Sequence, residues 1–115
     1  MDFDDARRMA LALPGAGEGT WFGLPTFKVR SKFFAGLGKD GASLVLRCNV
    51  YERKYLMESA PDVYFVTDHY RDDPYVLVNL SLVQADALRE RIEESWRMVA
   101  PKKLIAELEA GRPPA

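Results

Sequence analysis

The amino-acid sequence predicts a two-layer α+β domain: an antiparallel sheet with its helices packed on one face. Three observations carry that expectation. Apolar residues recur at helical spacing near both ends of the chain and alternate with polar ones between them. Short turns link the alternating segments, which favours antiparallel neighbours. Each long helical segment is apolar on one side only, as packing on a single sheet face requires. At 115 residues the chain predicts one domain with a real core over 1–110, followed by a frayed tail at 111–115.

The elements follow in order. Asp2 is an N-cap, with Asp4 and Asp5 in the dipole-favoured first turn, and Phe3, Ala6, Ala10 and Leu13 form the stripe of a helix ending at Pro14-Gly15. A short strand is expected around Glu18–Phe22, then a break at Gly23-Leu24-Pro25 and a strand over Thr26–Arg30. Phe33, Ala35 and Leu37 alternate, Gly38-Lys39-Asp40-Gly41 turns, and Ser43–Arg47 returns as a buried strand. Asn49 and Glu52 resemble a capping box opening a helix to about Met57, with Tyr51, Tyr55 and Leu56 available to the core. Val63–Val66 and Tyr75–Leu80 read as strands joined by an exposed polar loop, Thr67 to Pro74. Ser81 and Gln84 make a second capping box ahead of the longest helix, whose stripe is Leu88, Ile92, Trp96 and Val99. Pro101 opens a final helix with Leu104, Ile105 and Leu108.

Composition narrows the class of protein. No apolar run approaches the roughly 20 residues a membrane helix needs, and the acidic start Met-Asp-Phe-Asp-Asp does not resemble a signal peptide. Cys48 is the one cysteine, so neither an internal disulfide nor a thiolate metal cage is expected, and a reduced cytoplasmic monomer without cofactor is the simplest reading. Net charge is −1, but it is unevenly spread. Residues 26–57 carry seven cations against two carboxylates, and residues 58–90 carry seven carboxylates against two cations.

The chain is thin in catalytic residue types. Cys48, at the end of an apolar strand, reads as a buried thiol rather than a nucleophile. His69 lies among Asp68, Asp72 and Asp73, a pattern open to a general base or a solvated acidic loop, and the carboxylates lack calcium-loop spacing. Gly36-Leu37-Gly38-Lys39 reads as a hairpin turn, since no helix begins where a phosphate would sit. No catalytic residue and no metal ligand set is assigned.

The stretch from Gly23 to Phe34 is the most informative. Phe27 and Val29 alternate with Lys28 and Arg30, so a strand here places an apolar row beside a cationic one. Two binding surfaces follow. A basic hairpin of Lys28, Arg30, Lys32 and Lys39, extended by Arg53 and Lys54 and with Lys102 and Lys103 as possible additions, would hold DNA through its phosphates with weak sequence preference. Trp21, Phe22, Phe33 and Phe34 could stack on unpaired bases if exposed. Alternatively Trp21, Phe22, Tyr70 and Trp96, with Arg97 as a polar contact, would line a pocket for a small molecule or a protein partner. The structural counterparts are a solvated strand face and aromatic residues in the core.

The run Gly23-Leu24-Pro25-Thr26-Phe27-Lys28-Val29-Arg30-Ser31-Lys32-Phe33-Phe34-Ala35 resembles the signature of the MmcQ/YjbR family. Leu13-Pro14-Gly15 with Glu18, Asp68-His69-Tyr70, Val76–Leu80 and Ser95–Leu104 add to the likeness, which spans nearly the whole chain. The resemblance implies a CyaY-like α+β fold and a DNA-binding role through a double wing of hairpins, with no reaction or cofactor attached. One departure is that family members often carry Trp directly before the signature glycine, whereas Phe22 stands there and Trp21 precedes it.

Overall fold

The computed structural model describes residues 1–112; residues 113–115 of the expected tail lie outside the described residues. The chain orders as α1 (Phe3–Leu11), β1 (Ala16–Trp21), β2 (Leu24–Val29), β3 (Lys32–Leu37), β4 (Ser43–Arg47) and α2 (Val50–Ser59), then β5 (Tyr64–Phe65), β6 (Tyr75–Asn79), α3 (Ala85–Arg97) and α4 (Lys102–Ala110). The six strands form one antiparallel sheet in the order β1-β2-β3-β4-β6-β5. The expected α+β architecture is present. Among the described residues no helix is long and apolar enough to cross a membrane.

Local chemistry sets most boundaries. Asp2 and Asp5 make a reciprocal capping box at α1. Asn49 accepts from the Glu52 amide at α2, but the Glu52 carboxylate leaves the cap and pairs with Arg91 of α3 instead. The second expected capping box does not form. Ser81 donates to the Asn79 side chain 2.7 Å away, tightening the turn after β6, and α3 begins from Gln84 without a side-chain cap. The break expected at Gly23-Leu24-Pro25 shrinks to Phe22-Gly23, because Leu24 and Pro25 already pair with Trp21 and Thr20. Gly111 caps α4, and Arg112 ion-pairs with Glu93.

The core lies between one sheet face and the helices. Phe27, Val29, Phe34, Leu44, Leu46, Val76 and Val78 meet Ala6 and Ala10 of α1 and Leu88, Ile92 and Trp96 of α3. Trp96 is fully enclosed, and its indole Nε1 donates to the Pro14 carbonyl at 2.9 Å. It therefore ties α3 to the α1–β1 turn and is no pocket residue, which corrects one sequence expectation. Arg97 is also remote from any aromatic pocket, since it pairs with Glu93 and Glu109 at 3.1 and 3.0 Å to brace α3 against α4. On α2 only Leu56 of the three expected core residues is buried; Tyr51 and Tyr55 are exposed.

Candidate functional site

Among the described residues no α-helix covers the other sheet face. Thr26 and Lys28 alternate with the buried Phe27 and Val29 along β2, which puts them on this open side. Lys28 pairs with Phe33 across the β2–β3 ladder, Gly36 with Val45, and Arg47 with Tyr75, so all of these share the open face. The segment after β5, with a 3-10 turn at Asp68–Tyr70, folds back beside it. Between that segment and the β1–β2 hairpin tip lies a cleft of about 440 Å3. Its lining includes Trp21, Phe22, Thr26, Phe33, Lys39 and Tyr70, with Leu24, Val45, His69, Asp73 and Tyr75 beside them.

The aromatic rings form a continuous chain across this face. Trp21 lies 5.3 Å from Phe22 and 6.3 Å from Phe33, centroid to centroid. Phe33 meets Tyr75 edge-on at 5.6 Å, Tyr75 meets Tyr70 at 5.7 Å, and Tyr70 meets His69 at 4.7 Å. Trp21 is 55% and Phe22 85% exposed, far more than apolar rings of a packed core. The hairpin tip holds them there through a two-residue turn in which Phe22 and Gly23 both have positive φ, 51° and 77°. That geometry matches the twist of the flanking strands, but it costs Phe22 about 1 kcal/mol or more relative to extended backbone.

Phe33 lies over Gly36, a strand position that carries no side chain. A Cβ at Gly36 would fall 2.8 Å from the Phe33 ring, 3.2 Å from Pro25 O and 3.2 Å from Thr26 Cγ2. Gly36→Ala is therefore expected to lift Phe33 off the floor and destabilise the domain by about 1–3 kcal/mol, read as a lowered urea midpoint. An unchanged midpoint would mean that the ring and backbone shift freely. Beside it, the Thr26 residue is only 3% exposed, and its hydroxyl has no hydrogen-bond partner among the described residues.

The six cations expected on one basic surface are divided. The β1–β2 tip and the β3–β4 turn share one end of the sheet, so Lys39 joins the aromatic cleft. Arg30 and Lys32 flank the β2–β3 turn at the opposite end, where Arg30 and Ser31 also take positive φ. Lys54 is exposed on α2. Arg53 turns its guanidinium to the backbone, donating to Tyr70 O at 3.3 Å, Arg71 O at 2.8 Å, Asp73 O at 2.8 Å and Tyr75 O at 3.0 Å. It clasps the loop that walls the cleft. One cation that sequence reasoning passed over belongs here: Arg47 donates from Nε to Phe33 O at 3.2 Å and lies 6.0 Å from the Tyr75 ring centroid. The alternation of β4 would have placed it, since Leu44 and Leu46 face the helices and Val45 and Arg47 do not.

Of the groups with catalytic potential, Lys39, His69, Tyr70 and Asp73 line the cleft, whereas Asp40, Asp68 and Cys48 are engaged elsewhere. His69 is exposed and meets Tyr70, while Asp68 pairs with Arg71. Asp40 holds its turn by accepting from Ser43 Oγ at 2.7 Å and from the Ala42 and Ser43 amides; the Ser43 hydroxyl is the main cause that keeps its carboxyl below the ordinary range. Cys48 is buried on the far side of β4, and burial pushes its thiol up to about 11, which keeps it protonated and unreactive near neutrality.

Comparison with known proteins agrees with this architecture. The model of the YjbR family matches residues 11–98. The fold superposes on the crystal structure of a Deinococcus radiodurans protein with a DUF419 domain at a TM-score of 0.75 and 25% identity, covering 94% of this chain and 88% of that one. Uncharacterized proteins of Mycobacterium bovis and of two Mycobacterium tuberculosis strains are 44% identical over 50 residues, 44% of this chain. The match covers 39% of the length of these relatives.

Proposed function

This chain belongs to the YjbR family, and we propose that it is a non-catalytic cytoplasmic monomer that binds nucleic acid as an unpaired strand laid across the open face of its sheet. The observation that carries the reading is the chain of rings from Trp21 to His69 on an uncovered sheet face. Bases of a single strand stack on such a platform whatever their sequence. Lys28, Lys39 and Arg47 flank the platform and suit the phosphates. A duplex is less well served, because Arg30 and Lys32 lie at the other end from Lys39 and Arg53 is committed to backbone carbonyls. The buried, unpaired Cys48 suits a reducing compartment.

Fluorescence anisotropy of a labelled mixed-sequence oligonucleotide tests this. Binding is expected at low salt, with a log–log salt slope of about −2 for three phosphate contacts on a single strand. A Trp21→Ala/Phe22→Ala double variant should lose roughly ten- to hundredfold in affinity, the value of one base stack or more. Arg30→Ala/Lys32→Ala should lose less than Lys28→Ala/Lys39→Ala. No binding at low salt, or equal binding by the Trp21/Phe22 variant, would sink the strand reading. A second reading, a small planar ligand, is favoured by the cleft volume of about 440 Å3, which lies in the usual range for small-molecule sites.

A further inference from the structure

We infer that the cleft captures one nucleotide individually, its base edge hydrogen-bonded to the Thr26 hydroxyl. The inference rests on the strand-binding reading only for the choice of face. Three features of the cleft select the ligand chemistry. The rings of Trp21 and Phe22 on one side and of Tyr70 and His69 on the other suit a flat, unsaturated ring system. On the floor, Thr26 Oγ1 is enclosed without a partner among the described residues. A buried hydroxyl left in that state carries the cost of its lost hydrogen bonds to water with nothing to offset it. A hydrocarbon ring would leave that cost in place, whereas a heterocycle with a polar edge removes it. Lys39 stands in the same lining, with Lys28 and Arg47 on the adjoining strands, and these cations suit an anionic tail.

The hydroxyl is reached when the incoming ring takes the space over Thr26 and the exposed Trp21 and Phe22 side chains turn aside onto its face. Gly19, which pairs with Thr26 on the β1 side, brings no side chain to this position and leaves its face open toward Thr26 Oγ1, whereas the Phe33 ring fills the space over Gly36 on the β3 side. A planar group can therefore approach the strand backbone closely here. The site thus combines a stacking surface, one polar contact for the base edge and a cation for phosphate.

Removing the hydroxyl separates its role in binding from any role in folding. Thr26→Val keeps the branched shape and deletes an unsatisfied polar atom, so its melting temperature should equal or exceed that of the unaltered chain. Deoxyadenosine and deoxycytidine 5′-monophosphates are titrated into both chains and followed by amide chemical shifts, with ribose 5-phosphate as a base-free probe. We expect nucleotide affinity to fall about five- to tenfold in Thr26→Val, to be kept in Thr26→Ser, and to exceed that for ribose 5-phosphate at least tenfold. Equal nucleotide affinity in Thr26→Val, equal affinity for ribose 5-phosphate, or no nucleotide binding at millimolar concentration each overturns the inference. Mononucleotide binding without oligonucleotide binding overturns the strand reading and leaves this one standing; oligonucleotide binding without mononucleotide binding does the reverse.

Discussion

Trp96→Ala is expected to destabilise the domain by about 3–5 kcal/mol, the usual cost of deleting a fully enclosed indole. Small domains have about 5–15 kcal/mol in total, so the variant should be partly unfolded near 40 °C or lie close to it. Two losses combine. The side chain is 0% exposed at the C-terminal end of α3, so its removal leaves a cavity in the core between the helices and the sheet. Its Nε1–H also satisfies the Pro14 carbonyl at 2.9 Å, and that acceptor is left without its donor. Trp96→Phe, which keeps an aromatic ring but drops the N–H, should lose less. Urea unfolding measures both. A Trp96→Ala domain with an unchanged midpoint would contradict the packing described and return Trp96 to the pocket that the sequence suggested. Trp21→Ala is the natural contrast: its ring is over half exposed, so stability should move by no more than about 0.5 kcal/mol.

These two tryptophans show why the fold was more legible than the site. Trp96 sits at helical spacing with Leu88 and Ile92, and that periodicity predicts burial. Residue type alone points Trp96 to a pocket, but its place in the stripe outweighs that. Strand content was equally readable: Ser43–Arg47 was placed to the residue, and Phe27 and Val29 do face the helices while Lys28 does not. The misses arise where tertiary partners decide. Ser81 and Gln84 have capping-box spacing, yet the Asn79 side chain competes for the Ser81 hydroxyl. Tyr51 and Tyr55 are large and apolar enough for a core, but α2 offers Leu56 and the partly buried Met57 to it and turns both tyrosines to solvent.

The site was half legible for a topological reason. Trp21, Phe22 and Tyr70 were named from sequence, and all line the cleft. The cations read as one surface in the sequence because they are near one another along the chain. A β-hairpin sends successive turns to opposite ends of a sheet, so Lys39 and the Arg30/Lys32 pair are separated by a strand length. The opposed charge of residues 26–57 and 58–90 is likewise not a spatial division, since Lys39 and Asp73 line the same cleft. No local pattern reveals that the Thr26 hydroxyl lacks a partner or that Gly36 makes room for Phe33, because both depend on neighbouring strands.

Arg53→Met should cost about 2–4 kcal/mol and loosen the cleft wall, even though its position in a basic stretch suggests a surface contact. The guanidinium reaches four backbone carbonyls, those of Tyr70, Arg71, Asp73 and Tyr75. Charged donors make stronger hydrogen bonds than neutral ones, but several of these lie near solvent, so the sum stays well below four full bonds. Methionine keeps an apolar stem on α2 while removing every donor. Lysine should not restore stability, because a single ammonium cannot span carbonyls that a planar fork reaches together. The loop between Val66 and Pro74 has few other anchors: the Tyr70, Arg71 and Asp73 amides close short turns within it. Amide hydrogen exchange should therefore accelerate at Tyr70, Arg71 and Asp73 before the sheet is affected. Tyr70, His69 and Asp73 form one side of the cleft, so oligonucleotide affinity should fall alongside loop protection. A variant with wild-type stability and loop exchange but weakened, salt-dependent binding would instead make Arg53 a direct phosphate contact. Loss of protection without loss of affinity would show that the ligand does not need the loop wall, and would confine binding to Trp21, Phe22 and the strands behind them.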